Sequence, residues 1–345
     1  MTVTNTRVAI VGASSLRGKE LVDALSDSAF AASDFVLLDD AETIGQLEAV
    51  GEEAAVVLRI DSDAFERVDY AFFAGTQEMT RQYWQDAHRA GASIIDMTAA
   101  LDGEPGVVVA APWVSDVVGA NAAAPDLKTT AIIPAHPAAV TLALLMGRLQ
   151  KTLPVRSFWA TVLEPASEQG RAGMDELHQQ TVNLLSFHGL PKAVFGLQVA
   201  FNLTSVLGDE ATANLAATTE RIRSHYAALA QNRLPHLSLQ VAQAPVFHGH
   251  VFSIAVELEQ SATQEQIEKA LSGEHVDVMV GDQQPSNLVA AGQADIPVQV
   301  RLDGNEKQSA RFWIWAAADN LKLAAENAIA CAGELAKVRP SGKVQ

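Results

Sequence analysis

The chain has little sulfur and few positive charges. Its 345 residues include one cysteine, Cys331, which excludes an internal disulfide and any metal site built from several cysteines. Lysine and arginine number 24 against 41 aspartate and glutamate residues, so the formal net charge is −17. This charge opposes binding to nucleic acid or to an anionic membrane. We therefore expect neither among the partners.

We expect neither a membrane-spanning segment nor a targeting segment. The longest uncharged apolar run, residues 129–147, is interrupted by Pro134, His136 and Pro137, which argues against a transmembrane helix. The start, Met1-Thr2-Val3-Thr4-Asn5-Thr6-Arg7, lacks the basic stretch and apolar run of a signal peptide. These observations predict a cytoplasmic protein.

The length and the pattern of apolar residues predict two domains. The first hundred residues alternate short apolar runs with helix-like stretches, which is typical of a parallel sheet with crossover helices. The predicted strands are 8–11, 35–38, 54–60, 70–74 and 93–96. One predicted helix begins near residue 15, and another covers residues 80–90. The pattern changes near Pro134. Beyond it we predict strands at 158–163, 241–258 and 312–317, and helices at 171–186 and 320–338.

A glycine-rich turn follows the first predicted strand and precedes a helix. In this position such a turn sets the pyrophosphate of a dinucleotide against a helix N-terminus. At the end of the second strand the chain reads Asp39-Asp40-Ala41-Glu42-Thr43. Carboxylates there repel the 2′-phosphate of NADP but accept hydrogen bonds from the ribose of NAD. The candidate cofactor-binding residues are Gly12, Ser14, Ser15, Leu16, Gly18 and Asp39.

Three segments carry a resemblance to a known family. They are residues 8–18, residues 168–177 and Ala244-Pro245-Val246-Phe247-His248-Gly249-His250. In them the chain resembles the aspartate-semialdehyde dehydrogenases, and most closely their Usg-type paralogues, from about residue 5 to 337. The resemblance implies an α/β protein with a Rossmann-like N-terminal domain of residues 1–134, completed by a C-terminal helix at 318–338. Residues 135–317 would form an α+β dimerisation domain with a mostly antiparallel or mixed sheet, and the protein would be a homodimer.

The resemblance also implies a reaction whose key groups are replaced here. In the family a cysteine at the start of a helix attacks the aldehyde, hydride leaves to NADP, and phosphate cleaves the thioester. Ala139 stands at the position of that cysteine. Gln243 matches the arginine that clamps the substrate carboxylate, and Asp102 matches the arginine that binds phosphate. The resemblance therefore predicts that semialdehyde dehydrogenase activity is lost.

Other family positions are kept or altered less severely. His250 matches the acid–base histidine, and Glu164 falls at or near the glutamine that orients the thioester. Asn214 falls where the family has a lysine, and Ser15 replaces the middle glycine of the dinucleotide turn. We therefore expect any dinucleotide binding to be weak and to favour NAD over NADP, with no cofactor certain.

His248 and His250 would face the same side of the predicted strand at 241–258, but no third metal ligand is evident in the sequence. We therefore predict no metal site. Three interpretations of function remain open. In the first interpretation, the chain is a catalytically silent family member with an interaction or regulatory role toward a protein or small molecule. Alternatively, it is an NAD(P)-dependent oxidoreductase of altered chemistry that uses His250 and Glu164, or a sensor of a dinucleotide or metabolite.

Overall fold

The computed structural model describes residues 6–28, 34–40, 43–51, 53–119, 125–126, 128–304 and 307–338. The chain forms two compact units. One comprises Met1–Ser115, Ala120–Ala135 and Ala324–Gln345, and the other comprises Asp116–Gly119 and His136–Leu323. The C-terminal helix therefore joins the first unit from residue 324, whereas the sequence placed the whole of 318–338 there.

The first unit is built around a seven-stranded sheet whose paired strands all run parallel. The sheet order is β5-β2-β1-β6-β7-β9-β8. Its strands are β1 (Arg7–Val11), β2 (Asp34–Asp39), β5 (Leu58–Arg59), β6 (Tyr70–Phe73), β7 (Ser93–Asp96), β8 (Val107–Ala110) and β9 (Ala131–Pro134). The helices α1 (Leu16–Ser26) and α2 (Gln77–Arg89) connect strands of this sheet. Helix α3 (Pro112–Val118) follows β8, and β3 (Leu47–Val50) pairs with β4 (Glu53–Val56) in a separate ribbon.

Most strands of this sheet could be predicted from the sequence because they are short apolar runs. All four residues of β6 and of β7 are buried, as expected for strands of a parallel sheet with both faces covered. The predicted Rossmann-like architecture is confirmed. The single strand predicted at 54–60 is wrong, because the chain changes partners at Val57, which bonds through its N–H to Gln46 and through its carbonyl to Gly45. Residues before it pair with β3 and residues after it pair with β2.

The second unit is built around a six-stranded mixed sheet of order β11-β10-β12-β15-β14-β13. Its strands are β10 (Val155–Glu164), β11 (Leu237–Gln243), β12 (His250–Thr263), β13 (Val276–Val278), β14 (Ile296–Leu302) and β15 (Gln308–Ala318). The β10–β11 and β13–β14 pairs are parallel and the others antiparallel. The helices are α4 (Pro137–Thr152), α5 (Gly170–Leu185), α6 (Leu215–Ala230), α7 (Gln264–Leu271) and α8 (Asn287–Ala290). Helix α9 (Asn320–Val338) begins in this unit and belongs to the first unit from residue 324.

The single long strand predicted at 241–258 is wrong. The apolar run is divided between β11 and β12, which lie on opposite sides of β10. Residues 244–249 form the connection, in which Gly249 has a φ of +84° that favours glycine. His248 therefore lies in this connection and His250 opens β12, so the two histidines do not alternate along one strand.

Candidate functional site

The start of α4 holds the position expected for a nucleophile. Helix α4 begins with Pro137, and His136 caps it by accepting the Ala138 N–H at Nδ1, with 3.2 Å between the two nitrogens. Ala139 is the third residue of the helix and is 0% exposed. The helix N-terminus thus presents a methyl group where the family resemblance expects a thiol.

Cys331, the only cysteine of the chain, lies within α9 and is fully buried. Its Sγ atom is 3.6 Å from the carbonyl oxygen of Ala110. Burial raises the pKa of the Cys331 thiol, so the reactive thiolate is disfavoured. This cysteine is a packing residue of the first unit.

A buried polar cluster lies beside the start of α4. His136 Nε2 lies 3.2 Å from Oε1 of Glu168, which belongs to the short 3₁₀ turn Ala166–Gln169 before α5. Asn320 donates from Nδ2 to Oε2 of the same carboxylate at 3.3 Å. The Oδ1 atom of Asn320 accepts hydrogen bonds from Ser167 Oγ and from the Gly249 N–H. Glu168 is therefore held in place from two sides.

His250 opens β12 next to this cluster and is 0% exposed. Its Nε2 atom lies 3.8 Å from Oε2 of Glu168, and its ring centroid is 5.6 Å from that of His136. Neither ring nitrogen has a hydrogen-bond partner among the described residues. Burial lowers the pKa of His250 to about 4, against the opposing pull of Glu168, so its imidazole is neutral at physiological pH.

Glu164 and Gln243 end neighbouring strands of the same sheet and are both fully buried. Glu164 Oε1 accepts a hydrogen bond from Gln169 at 3.1 Å, while its Oε2 has no partner in the described structure. Burial, reinforced by the nearby Glu168, raises the pKa of the Glu164 carboxyl. Gln243 donates both of its amide hydrogen bonds to backbone carbonyls, those of Glu164 and Ala244.

His225 of α6 forms a hydrogen bond with the backbone at the start of α4. Its Nδ1 accepts the backbone N–H of His136 at 2.9 Å, which places the ring proton on Nε2. That Nε2 atom is buried without a partner among the described residues. Burial and then the nearby His136 lower the pKa of His225 to about 3, so this ring is neutral as well.

The structure therefore brings Glu164, Gln243, Ala139 and His250 into the second unit, where Glu168 and His136 lie against His250. The sequence analysis missed Glu168 as a functional candidate, although it opens the segment 168–177, and gave His136 no role. The signal for His136 was its place just before Pro137 at a helix start. Asp102 is exposed in the first unit, and Asn214 caps α6 through its Oδ1.

The dinucleotide turn of the first unit follows β1. Gly12 has a φ of +81°, and a Cβ there would lie 2.2 Å from the Cα of Gly75, so this glycine is required by the turn itself. Asp39 Oδ2 accepts the Ser14 N–H at 2.8 Å. Ser15 caps α1 by accepting the Gly18 N–H at 2.9 Å, and its hydroxyl donates to the Ala74 carbonyl. Ser14 Oγ remains without a partner in the described structure.

The groups around this turn decide what it can bind. The N–H groups of Ser14 and Gly18 could donate to a phosphate, but they already bond to the side-chain oxygens of Asp39 and Ser15. The hydroxyl of Ser15 is likewise bonded to the Ala74 carbonyl. Leu16 opens α1, and its backbone lies at the positive end of the helix dipole. The arrangement leaves less hydrogen-bonding capacity for a pyrophosphate than the sequence suggested.

Two family models cover most of the chain. Residues 7–122 match the model described as semialdehyde dehydrogenase, NAD binding domain, and residues 146–323 match semialdehyde dehydrogenase, dimerisation domain. The chain is 31% identical to a USG-1 protein homolog of Pseudomonas aeruginosa over 332 residues, which are 95% of this chain and 96% of that protein. It is 24% identical to an aspartate-semialdehyde dehydrogenase of Rickettsia bellii over 338 residues, 96% of this chain and 97% of that one.

Solved structures share the fold over almost the whole chain. The structure of a probable aspartate-semialdehyde dehydrogenase from Pseudomonas aeruginosa has a TM-score of 0.81 and 29% identity, covering 97% of this chain and 99% of that one. Aspartate semialdehyde dehydrogenase II from Vibrio cholerae, complexed with ASA, has a TM-score of 0.84 and 21% identity at the same coverage. At that identity the second match shows the fold alone.

Proposed function

The chain belongs to the semialdehyde dehydrogenase family, and we propose that it is a homodimeric member that no longer oxidises aspartate semialdehyde through a thioester. The observation that carries this proposal is the fully buried Ala139 in the first turn of α4. The nearest hydroxyl along that helix belongs to Thr141, whose Oγ1 is buried without a partner among the described residues. No base among the described residues accepts a hydrogen bond from it, so we propose that it does not replace the missing thiol.

Other residues of the second unit support the same proposal. Gln243 spends both amide protons on backbone carbonyls and carries no charge, so it does not clamp a substrate carboxylate as a guanidinium would. The nearby Glu164 and Glu168 add acidic groups to the second unit's buried cluster. The α-carboxylate of aspartate semialdehyde therefore meets no cationic side chain among these residues.

The match to the family's dimerisation domain supports a homodimer. We propose that the dimer forms through the face of the six-stranded sheet on which Trp159, Trp313 and Trp315 are 51%, 49% and 40% exposed. Large aromatic side chains at such exposure on a sheet face are typical of an interface. The proposed role is an interaction or regulatory one in the cytoplasm. None of the described helices combines the length and the hydropathy that a span of the lipid bilayer requires.

The second candidate is an oxidoreductase of altered chemistry, favoured by the neutral, buried His250 beside Glu168. A neutral imidazole can accept a proton from a hydroxyl or hydrated aldehyde, and the protonated Glu164 can donate one. This function requires a bound nicotinamide. The use of Ser14 N–H and Ser15 Oγ by the fold argues for weak dinucleotide binding at best.

An activity assay tests the proposal directly. Purified protein is mixed with aspartate semialdehyde, phosphate and either NAD or NADP, and nicotinamide absorbance is followed. We expect no reduction above a catalyst-free control, and reproducible phosphate-dependent turnover would overturn the proposal. The same assay with a set of simple aldehydes and no phosphate tests the second candidate, which predicts turnover that is lost in His250→Gln. Calorimetry with NAD and NADP tests the third interpretation, a sensor that binds without turnover.

A further inference from the structure

We propose that His136, Glu168 and His250 form a binding site for a divalent transition-metal ion, with Zn²⁺ as the best fit. One ligand atom from each residue lies within 4.8 Å of the others. Both histidines are buried, and Glu168 is only partly exposed. Ion binding needs no catalytic turnover, so this inference does not depend on the proposed function.

The state of His250 points to a missing partner. Its side chain is 0% exposed, yet neither ring nitrogen makes a hydrogen bond within the described residues. Buried polar atoms are almost always paired, and an unpaired one indicates a ligand, an ion or water. Nε2 faces the Glu168 carboxylate at 3.8 Å, which is too long for a hydrogen bond. An ion between the two side chains would give Nε2 of His250 a partner.

The ligand atoms lie close enough together to reach the spacing of a tetrahedral ion by movement of their side chains. With metal–ligand distances of about 2.0–2.1 Å, two ligands of a tetrahedral site lie roughly 3.3 Å apart. The distance from His136 Nε2 to Glu168 Oε1 is already 3.2 Å. The distance from His250 Nε2 to Glu168 Oε2 is 3.8 Å, and the three ligand atoms lie within 4.8 Å of one another. Side-chain movements of up to about 1.5 Å therefore bring them to tetrahedral spacing.

Asn320 holds one of the three ligands, Glu168, as an outer-shell residue does. Asn320 donates to Glu168 and is itself fixed by Ser167 Oγ and the Gly249 N–H. Outer partners of this kind orient ligands and strengthen metal sites. Two imidazoles and one carboxylate suit zinc and other late transition metals, whereas Mg²⁺ and Ca²⁺ prefer sites made of oxygen. With three protein ligands, a fourth position stays open for water or for an oxygen of a small molecule.

The tautomer of His136 in the ion-free protein lowers the affinity that we expect for the metal ion. Without an ion, Nδ1 accepts the Ala138 N–H, so the ring proton is on Nε2 and points to Glu168. An ion on Nε2 moves that proton to Nδ1, and the bond from Ala138 is lost. Loss of an outer-shell contact typically weakens metal binding by about 10- to 100-fold. We therefore expect a site weaker than structural zinc sites, and one that is emptied by strong chelators.

The test measures metal binding to the full-length protein after chelator treatment. Zn²⁺ stoichiometry is determined by elemental analysis and calorimetry, and Co²⁺ serves as a probe because its visible bands report four-coordinate geometry. Three variants remove one ligand each. His136→Asn keeps a good helix cap while deleting the ring nitrogen, Glu168→Gln keeps an acceptor for Asn320, and His250→Gln keeps a polar side chain. His248→Asn is the matched control, because His248 neighbours the site in sequence but lies outside the cluster.

The proposal predicts one Zn²⁺ or Co²⁺ per chain, no binding of Mg²⁺, and at least a 100-fold loss of affinity in each ligand variant. The control should bind as the unaltered protein does. Circular dichroism of metal-free samples identifies any variant that does not fold, and the remaining two still decide the question. Absence of stoichiometric binding would overturn the site. Binding that persists in His250→Gln, or that is lost in His248→Asn, would place the ion elsewhere and equally overturn it.

Discussion

The carboxylate of Asp39 accepts a hydrogen bond from the backbone N–H of Ser14, with 2.8 Å between Oδ2 and the nitrogen. A residue at the end of β2 is thereby tied to the turn that follows β1. Its other oxygen, Oδ1, accepts the N–H of Asp40. The acidic group thus occupies an N–H that a dinucleotide phosphate could use, and it places negative charge beside the ribose position.

This relationship predicts the cofactor preference of the first unit. We expect NAD to bind weakly, closer to millimolar than micromolar, and NADP to bind more weakly still. Asp39→Asn removes the repulsion of a 2′-phosphate and should shift the ratio of NADP to NAD affinity toward NADP by on the order of tenfold. Calorimetry measures both dissociation constants. Asp40→Asn is the matched control and should shift the ratio less, and tighter NADP binding by the unaltered protein would contradict the prediction.

A second prediction concerns the lost nucleophile. Ala139→Cys alone should not restore semialdehyde dehydrogenase activity, because the new thiol lacks both a carboxylate clamp and a phosphate site. Removal of a nucleophile and its partners lowers the rate by several orders of magnitude, and one substitution alone does not restore that rate. The triple variant that adds Gln243→Arg and Asp102→Arg is the least that we expect to show turnover.

The structure adds a reason to expect that the triple variant folds poorly. Gln243 is 0% exposed, and an unpaired guanidinium in its place would be buried. Thermal unfolding of Gln243→Arg should therefore show a lower midpoint than the unaltered protein. Measurable semialdehyde oxidation by Ala139→Cys alone would show that the match of these positions to the family is wrong.

A third prediction concerns the segment after α5, which is held by buried polar side chains. Gln180 accepts the N–H groups of Val199 and Ala200 and donates to the carbonyls of Pro191 and Leu197. Gln180→Ala leaves four backbone groups without these partners and should lower the free energy of unfolding by about 3 kcal/mol. The neighbouring, exposed Gln179→Ala should change it by less than about 0.5 kcal/mol. Urea unfolding of both variants measures the difference, and equal effects would refute the assignment.

The sequence predicted the bounds of those helices and strands whose apolar pattern is compatible with only one kind of element. Strand β7 and helix α9 begin and end where the pattern predicted, because short buried runs and a long alanine-rich stretch leave no alternative. The run 241–258 misled because alternation describes two strands as well as one, and the turn at Pro245 and Gly249 was overlooked. The cluster of His136, Glu168 and His250 joins residues that are far apart along the chain, the nearest two being 32 positions apart. No local pattern carries that information.

The last prediction is that the protein dimerises through the outer face of the six-stranded sheet. Trp159 and Trp313 flank Ala255 in the strand register, since Ala255 pairs with both. They line a shallow cavity of about 330 Å³ on this face, with Thr161 and Ser253. A sheet that packs helices against one face leaves the other open, and a second copy of the sheet is its natural cover.

Such an interface should bury on the order of 2,000 Å² or more and resist dilution. Sedimentation at low micromolar concentration should give twice the chain mass of 36.6 kDa. Trp313→Arg places a charge in the apolar centre of the interface and should shift the population toward monomer, because a desolvated, unpaired charge is strongly unfavourable there. Phe187→Arg is the matched control, since Phe187 is 97% exposed in the turn after α5 and should leave the dimer intact. A folded monomer of the unaltered protein, or a dimer indifferent to Trp313→Arg, would contradict the proposed interface.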